Sequence, residues 1–139
     1  MNDILSYKEV EEKVLTIRGE NVLLNSSVAE LYGVETKRVN EAVKNNLDKF
    51  PEGYVFLLKR QEKDELVENF DHLEKLKYSS VSPSAFTEKG LYMLATILKS
   101  PRATQTTIAI VETFAKMREL ERAIRNIRLR RIAFVFCFL

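Results

Sequence analysis

Apolar positions in this chain fall into short runs near the N-terminus and into helical stripes further on. Val14-Leu15-Thr16-Ile17-Arg18 and Val22-Leu23-Leu24 flank Gly19-Glu20-Asn21, a pattern that predicts a β-hairpin with the glycine supplying a turn angle other residues resist. Asn25, Ser26 and Ser27 are candidate helix caps, Ser27 having capping-box spacing with Glu30, and the short first helix that follows should stop at Gly33. A second helix is predicted from Thr36 to Asp48, with Val39, Ala42, Val43 and Leu47 forming one buried stripe. Phe50-Pro51 ends it. Tyr54 to Leu58 is predicted to be a strand, Gln61 to Phe70 an acidic amphipathic helix, and residues 71 to 86 a long loop or loose extra hairpin. Residues 1 to 12 are polar and read as a short lead-in.

Thr87 should cap a further helix whose inner face is Leu91, Leu94, Ala95 and Leu98. Ser100-Pro101 is a restart signal, a cap followed by proline at the first helical position. No breaker follows between Arg102 and Arg131, which would make a helix about 45 Å long, more than a small domain can bury. Ile110, Met117 and Ile124 lie seven apart, with Leu120 and Ile127 in the alternate slots and Thr113 interrupting that row. This predicts a short coiled-coil seam for dimerisation, a helix packed on its own domain being the alternative. The fold class is therefore α+β: a helix-turn-helix with a small β-hairpin or sheet, then a long C-terminal helix able to form a coiled coil. The expected organisation is a domain over 13–100, the long helix over 101–131 and an apolar tail over 132–139. That tail reads as the scar of a truncated or frameshifted gene, with docking into a dimer as the alternative.

Composition adds exclusions. With 22 basic and 20 acidic side chains the net charge is only +2, but its distribution is uneven. Gln61 to Lys75 holds six acids against two lysines, and Lys116 to Arg131 holds seven bases against two acids. Such separation can present one basic face to a polyanion. Cys137 is the single cysteine, so no intrachain disulfide can form. The start, MNDILSYKEV, lacks a signal-peptide pattern and no window approaches the roughly 18 apolar residues of a membrane span; the cytoplasm is the expected compartment. His72 has no second histidine or cysteine nearby, so no metal and no cofactor is expected. The acids of 62 to 74 have the spacing of a solvated helix face, and Ser79, Ser80, Ser82 and Ser84 lack a nucleophile's setting. An enzyme is not expected.

The informative stretch runs from Val28 to Ala42. A helix-turn-helix needs a small residue where its helices approach closely, here Ala29, and glycine at a left-handed turn, here Gly33. Val28, Tyr32, Val34, Val39 and Ala42 occupy the interior positions. The second helix of such a motif lies in the major groove. Its outward face would be Thr36, Lys37, Arg38, Asn40, Glu41, Lys44 and Asn45, which suits guanine (Arg, Lys), adenine (Asn) and phosphate (Lys). Arg38 and Asn40 are expected at base edges and Lys44 at phosphate. By itself the pattern fits equally well a structural helix pair with a solvated polar face. The dense run Arg122, Arg125, Arg128, Arg130 and Arg131 is either a solvated helix end or a further phosphate-contacting surface.

Leu15-Thr16-Ile17-Arg18-Gly19, Val22-Leu23-Leu24, the block from Val28 to Lys44 and the closing Phe50-Pro51 resemble the phage family called the "open reading frame six, N-terminal" domain, related to KilA-N and Bro-N domains. Ala85-Phe86-Thr87-Glu88-Lys89-Gly90 and Ser100-Pro101-Arg102-Ala103 also match, so the resemblance covers roughly residues 13 to 120. It departs at Lys44-Asn45-Asn46, where the family often has Lys-Arg-Asn, and at Lys77 to Ser84, where the family's tryptophan- and glycine-bearing loop is replaced. The resemblance implies an α+β DNA-binding domain of phage antirepressors and prophage regulators. The expected partners are double-stranded DNA, a second copy in a homodimer, and, in the alternative function, a repressor protein bound without reading DNA.

Overall fold

The computed structural model describes residues 7–79 and 82–137. Its centre is a four-stranded antiparallel sheet of order β1-β2-β4-β3, formed by β1 (Leu15–Ile17), β2 (Glu20–Leu24), β3 (Val55–Leu57) and β4 (Ser84–Phe86). The hairpin is present, and both turn residues are left-handed, Arg18 at φ 55° and Gly19 at φ 75°, the pairing a two-residue turn requires. Arg18 accepts that conformation while its guanidinium grips Glu62 through Nε (2.9 Å) and Nη2 (2.8 Å) and lies 4.2 Å from the Phe56 ring centre.

Alternation along the strands sends apolar side chains to two cores. Leu23, Val55 and Phe86 face a helical layer of α1 (Tyr7–Lys13), α2 (Asn25–Tyr32), α3 (Thr36–Lys44), α5 (Glu88–Ala95) and the first half of α6 (Ala103–Cys137). Leu15, Ile17, Val22, Leu24 and Ala85 face the other way, against Leu66 of α4 (Arg60–Asn69) and Leu73 of a 3-10 helix over Asp71–Tyr78. Burial on both faces explains why β2 reads as a continuous apolar run instead of an alternating one.

Several sequence expectations are corrected. The long loop or loose extra hairpin expected over 71 to 86 is instead the 3-10 helix and a single strand, β4, central in the sheet; Ser80 and Val81 lie outside the described residues. Part of the polar lead-in is helix α1, whose Val10 is buried against α6. The first helix of the pair begins at Asn25, with Leu24 at its cap position and no side-chain cap, so the Ser27–Glu30 capping box is not formed. Ser27 is buried instead. The next helix, α3, stops at Lys44, where the Asn46 side chain donates to the Ala42 carbonyl at 2.8 Å and the chain tightens into a short 3-10 turn over Leu47–Lys49. Leu47 is thereby 67% exposed and not part of the buried stripe.

Thr87 does cap α5: its Oγ1 accepts from the Gly90 amide at 3.4 Å. It also donates to the Gly53 carbonyl at 2.7 Å, which ties the helix start to the approach to β3. Gly90 is required there, since a Cβ would stand 1.9 Å from the Tyr54 carbonyl oxygen.

Helix α6 runs 35 residues, about 52 Å, and continues without a break through Cys137, so the apolar stretch from Ile132 is the end of this helix; Phe138 and Leu139 lie outside the described residues. Thr106, Ala109, Ile110, Thr113 and Phe114 are buried against the body. Every described residue from Arg118 onward is exposed. Ile110, expected in the dimerisation seam, is 2% exposed and belongs to the domain's own core, because the helix is still packed on α1 and α5 at that depth. No helix among the described residues is long and apolar enough to cross a membrane.

Candidate nucleic-acid interface

Helices α2 and α3 are joined by three residues, and the geometry of the turn follows from Gly33. It sits at φ 70°, ψ 35°, the left-handed C-cap conformation. The Val34 amide reaches back to the Ala29 carbonyl at 2.9 Å and the Gly33 amide to Glu30 at 3.3 Å, closing both bonds of a Schellman end. Ala29 (2% exposed) and Val39 (fully buried) belong to one core with Val28 and Tyr32. The pair is further locked by Asn25, whose Nδ2 donates to Asn40 Oδ1 at 2.9 Å while its Oδ1 accepts the Ser26 amide at 3.0 Å.

The back of the turn is fastened to α6. The last carbonyls of α2 would be orphaned by helix geometry. Thr106 Oγ1 donates to the Leu31 carbonyl and Ser100 Oγ to the Tyr32 carbonyl, each at 2.9 Å. Tyr32 Oη meets Thr107 Oγ1 at 2.7 Å, and burial pushes its phenol pKa up, so it remains a neutral anchor. Ser100 therefore binds α2 instead of capping its own helix, which starts at Ala103.

The outward residues are unequally available. The Lys37 side chain is 81% exposed and stands 4.0 Å from Glu41, itself 54% exposed. Asn40, Lys44 and Asn45 are exposed and Thr36 is half-buried. Asn40 accepts from Asn25, so its own amide NH2 is the group left for an outside acceptor. Arg38 is turned towards the α5–α6 connection, where Nη2 donates to the Lys99 carbonyl. This brings to the rim of α3 two cations the sequence reading did not include, Lys99 and Arg102. A Cβ on Gly33 would touch Arg102 Cδ at 3.3 Å, so the guanidinium arm lies directly over the turn. Their only sequence signal was their place on either side of Ser100-Pro101, which marked a helix boundary and nothing more.

The remaining candidates lie elsewhere. Met117 is half-buried, and Leu120 (63%), Ile124 (42%) and Ile127 (57%) are exposed along the outer part of α6, well away from Ile110 in the core. The acids near α4 are partly structural. Glu62 accepts from Arg18 and from the Lys59 amide at 2.7 Å, and these bonds, that from Arg18 first, hold its carboxyl at about 2. Among the described residues no group of three His, Cys, Asp or Glu side chains is placed to hold a metal ion.

Comparison with curated proteins gives no match, and comparison with solved structures gives none. Residues 12–97 match the ORF6N domain, a stretch that holds the sheet, the α2–α3 pair, α4 and α5 and stops short of α6. Well over half of the chain is matched, and the chain belongs to the phage-associated ORF6N domain family.

Proposed function

We propose that this chain is a sequence-specific DNA-binding regulator of phage or prophage genes, of the antirepressor type, working as a homodimer. The α2–α3 pair would act as a helix-turn-helix, with α3 in the major groove. The observation that carries this reading is the glycine-turned α2–α3 pair, whose outward face is polar and rimmed by cations from two distant parts of the chain. Lys37 and the free amide of Asn40 are the groups suited to base edges. Arg38 holds the Lys99–Arg102 connection beside α3, and Lys44, Lys99 and Arg102 are suited to phosphates. Thr36, Glu41 and Asn45 complete the contact face. Selection of genomic fragments by the purified protein at two salt concentrations tests the reading. One sequence class should be enriched at both, whereas enrichment without sequence preference counts against it.

A second reading has one feature in its favour. A cleft of about 510 Å³ lies between α3 and β3, lined by Val43, Leu47, Val55, Leu57 and Phe86. Leu47 and Leu57 are each about two-thirds exposed, at 67% and 65%. Such a rim suits a repressor or other regulator bound as a protein. The cleft also borders Asn40 and Lys44, so in that case substitution Leu57→Asp abolishes protein capture, whereas Lys99→Ala and Arg102→Ala, outside the cleft, leave capture unchanged.

A further inference from the structure

The outer part of α6 projects from the body with Leu120, Ile124 and Ile127 exposed at coiled-coil spacing, and Met117 half-buried at its root. From Met117 to Cys137 this segment is three heptads, about 31 Å. We infer that it is covered by the same segment of a second copy running antiparallel. The inference rests on the homodimer proposed above and adds its direction.

Charge decides the direction. Beyond Glu121 the described helix carries Arg122, Arg125, Arg128, Arg130 and Arg131 and no acid, whereas from Met117 to Glu121 it carries Glu119 and Glu121 against Arg118, which is already paired with Glu88. Parallel pairing would lay the two arginine ends side by side and set Arg131, which continues the Met117–Ile124 row, against its own copy across the seam. Antiparallel pairing lays each arginine end along the other copy's Glu119 and Glu121. With Ile124 against the second copy's Ile127, Arg131 meets Leu120 and Glu121 comes beside Arg128, once on each side of the two-fold axis. The attractive pair of the parallel arrangement, Lys116 with Glu121, would instead draw on a Lys116 that already sits 4.6 Å from the Tyr7 ring centre.

Single cysteines test this in a chain whose exposed Cys137 is changed to serine. In an antiparallel pair residue 120 faces residue 131, while the two copies of residue 120 lie about 16 Å apart along the axis, beyond disulfide reach. Mixed and oxidised, the Leu120→Cys and Arg131→Cys chains should give a cross-linked product containing one of each, resolved by mass, and neither chain should cross-link alone. Cross-linking of each variant with itself would overturn the antiparallel direction and leave the dimer standing. A dimer by sedimentation with no cross-link would overturn the seam. A wild-type monomer at high micromolar concentration would overturn both the inference and the homodimer on which it rests.

Discussion

Replacing Gly33 with valine perturbs the one backbone position on which the α2–α3 angle depends. Gly33 sits at φ 70°, ψ 35°, and a β-branched residue there costs of order 1–3 kcal/mol. The added Cβ would also approach Arg102 Cδ at 3.3 Å. That contact is with a flexible side chain, so the arginine can move aside at little cost, and the backbone term should dominate. For a domain of this size the loss corresponds to a fall in Tm of roughly 3–10 °C. Gly19 supplies the control, since its φ is 75° with nothing within 4 Å of a built Cβ. Gly19→Ala and Gly33→Ala therefore carry similar backbone strain, and any excess at Gly33 reports the displacement of Arg102. Asparagine, which tolerates the left-handed region, should recover most of the loss. Thermal unfolding followed by circular dichroism measures all four variants. An unchanged Tm for Gly33→Val would refute the argument that this turn is held by its left-handed glycine.

Gly90→Ala should be worse than Gly33→Ala, because its Cβ meets the Tyr54 backbone carbonyl at 1.9 Å and backbone cannot swing away; loss of soluble folded protein or a much larger fall in Tm is the expected result. The Arg18–Glu62 pair should show in the acid limb of stability: with the carboxyl at about 2 against an ordinary 4.5, its contribution is complete above pH 4.5 and lost as the pH falls through about 2. Chemical denaturation of Glu62→Gln across that window should therefore lack the wild type's decline attributable to this group. In DNA binding, Lys99→Ala, Arg102→Ala and Lys44→Ala should each weaken every duplex alike and reduce the salt slope by about one unit, while Lys37→Ala should cost about 1–3 kcal/mol on the preferred site and flatten its preference. Equal losses for Lys37→Ala on preferred and scrambled duplex, read by fluorescence anisotropy, would remove α3 from the role of reader.

The parts of this fold legible in the sequence are those set by neighbours along the chain. Gly19 and Gly33 announce their turns because few other residues take those angles, and Thr87 announces its helix because cap chemistry is local. Strand β4 is not legible as a central strand because it has only three residues and its partners are β2 and β3, remote in sequence; its pairing, not its composition, makes it a strand. Ser27 illustrates the same limit: the capping spacing is present, but Asn25 begins the helix earlier and carries the hydrogen bonds that lock the pair. Ile110 fits the heptad row and is nevertheless core, because periodicity does not say where α6 leaves the body. Within the candidate interface α3 was legible from its polar face. Lys99 and Arg102 were not, since only the packing of α6 behind the turn brings them there.

The central claim is that α3 and its cationic rim recognise duplex DNA, and a salt titration on a selected fragment tests it most directly. Affinity for that fragment, for a scrambled duplex and for an unrelated polyanion such as heparin would be followed over the same range. The account predicts a slope of about −0.9 per phosphate neutralised on both duplexes, with the selected fragment bound at least about 10³-fold more tightly than the scrambled one at each salt. Equal affinity for selected duplex, scrambled duplex and heparin at every concentration would contradict it.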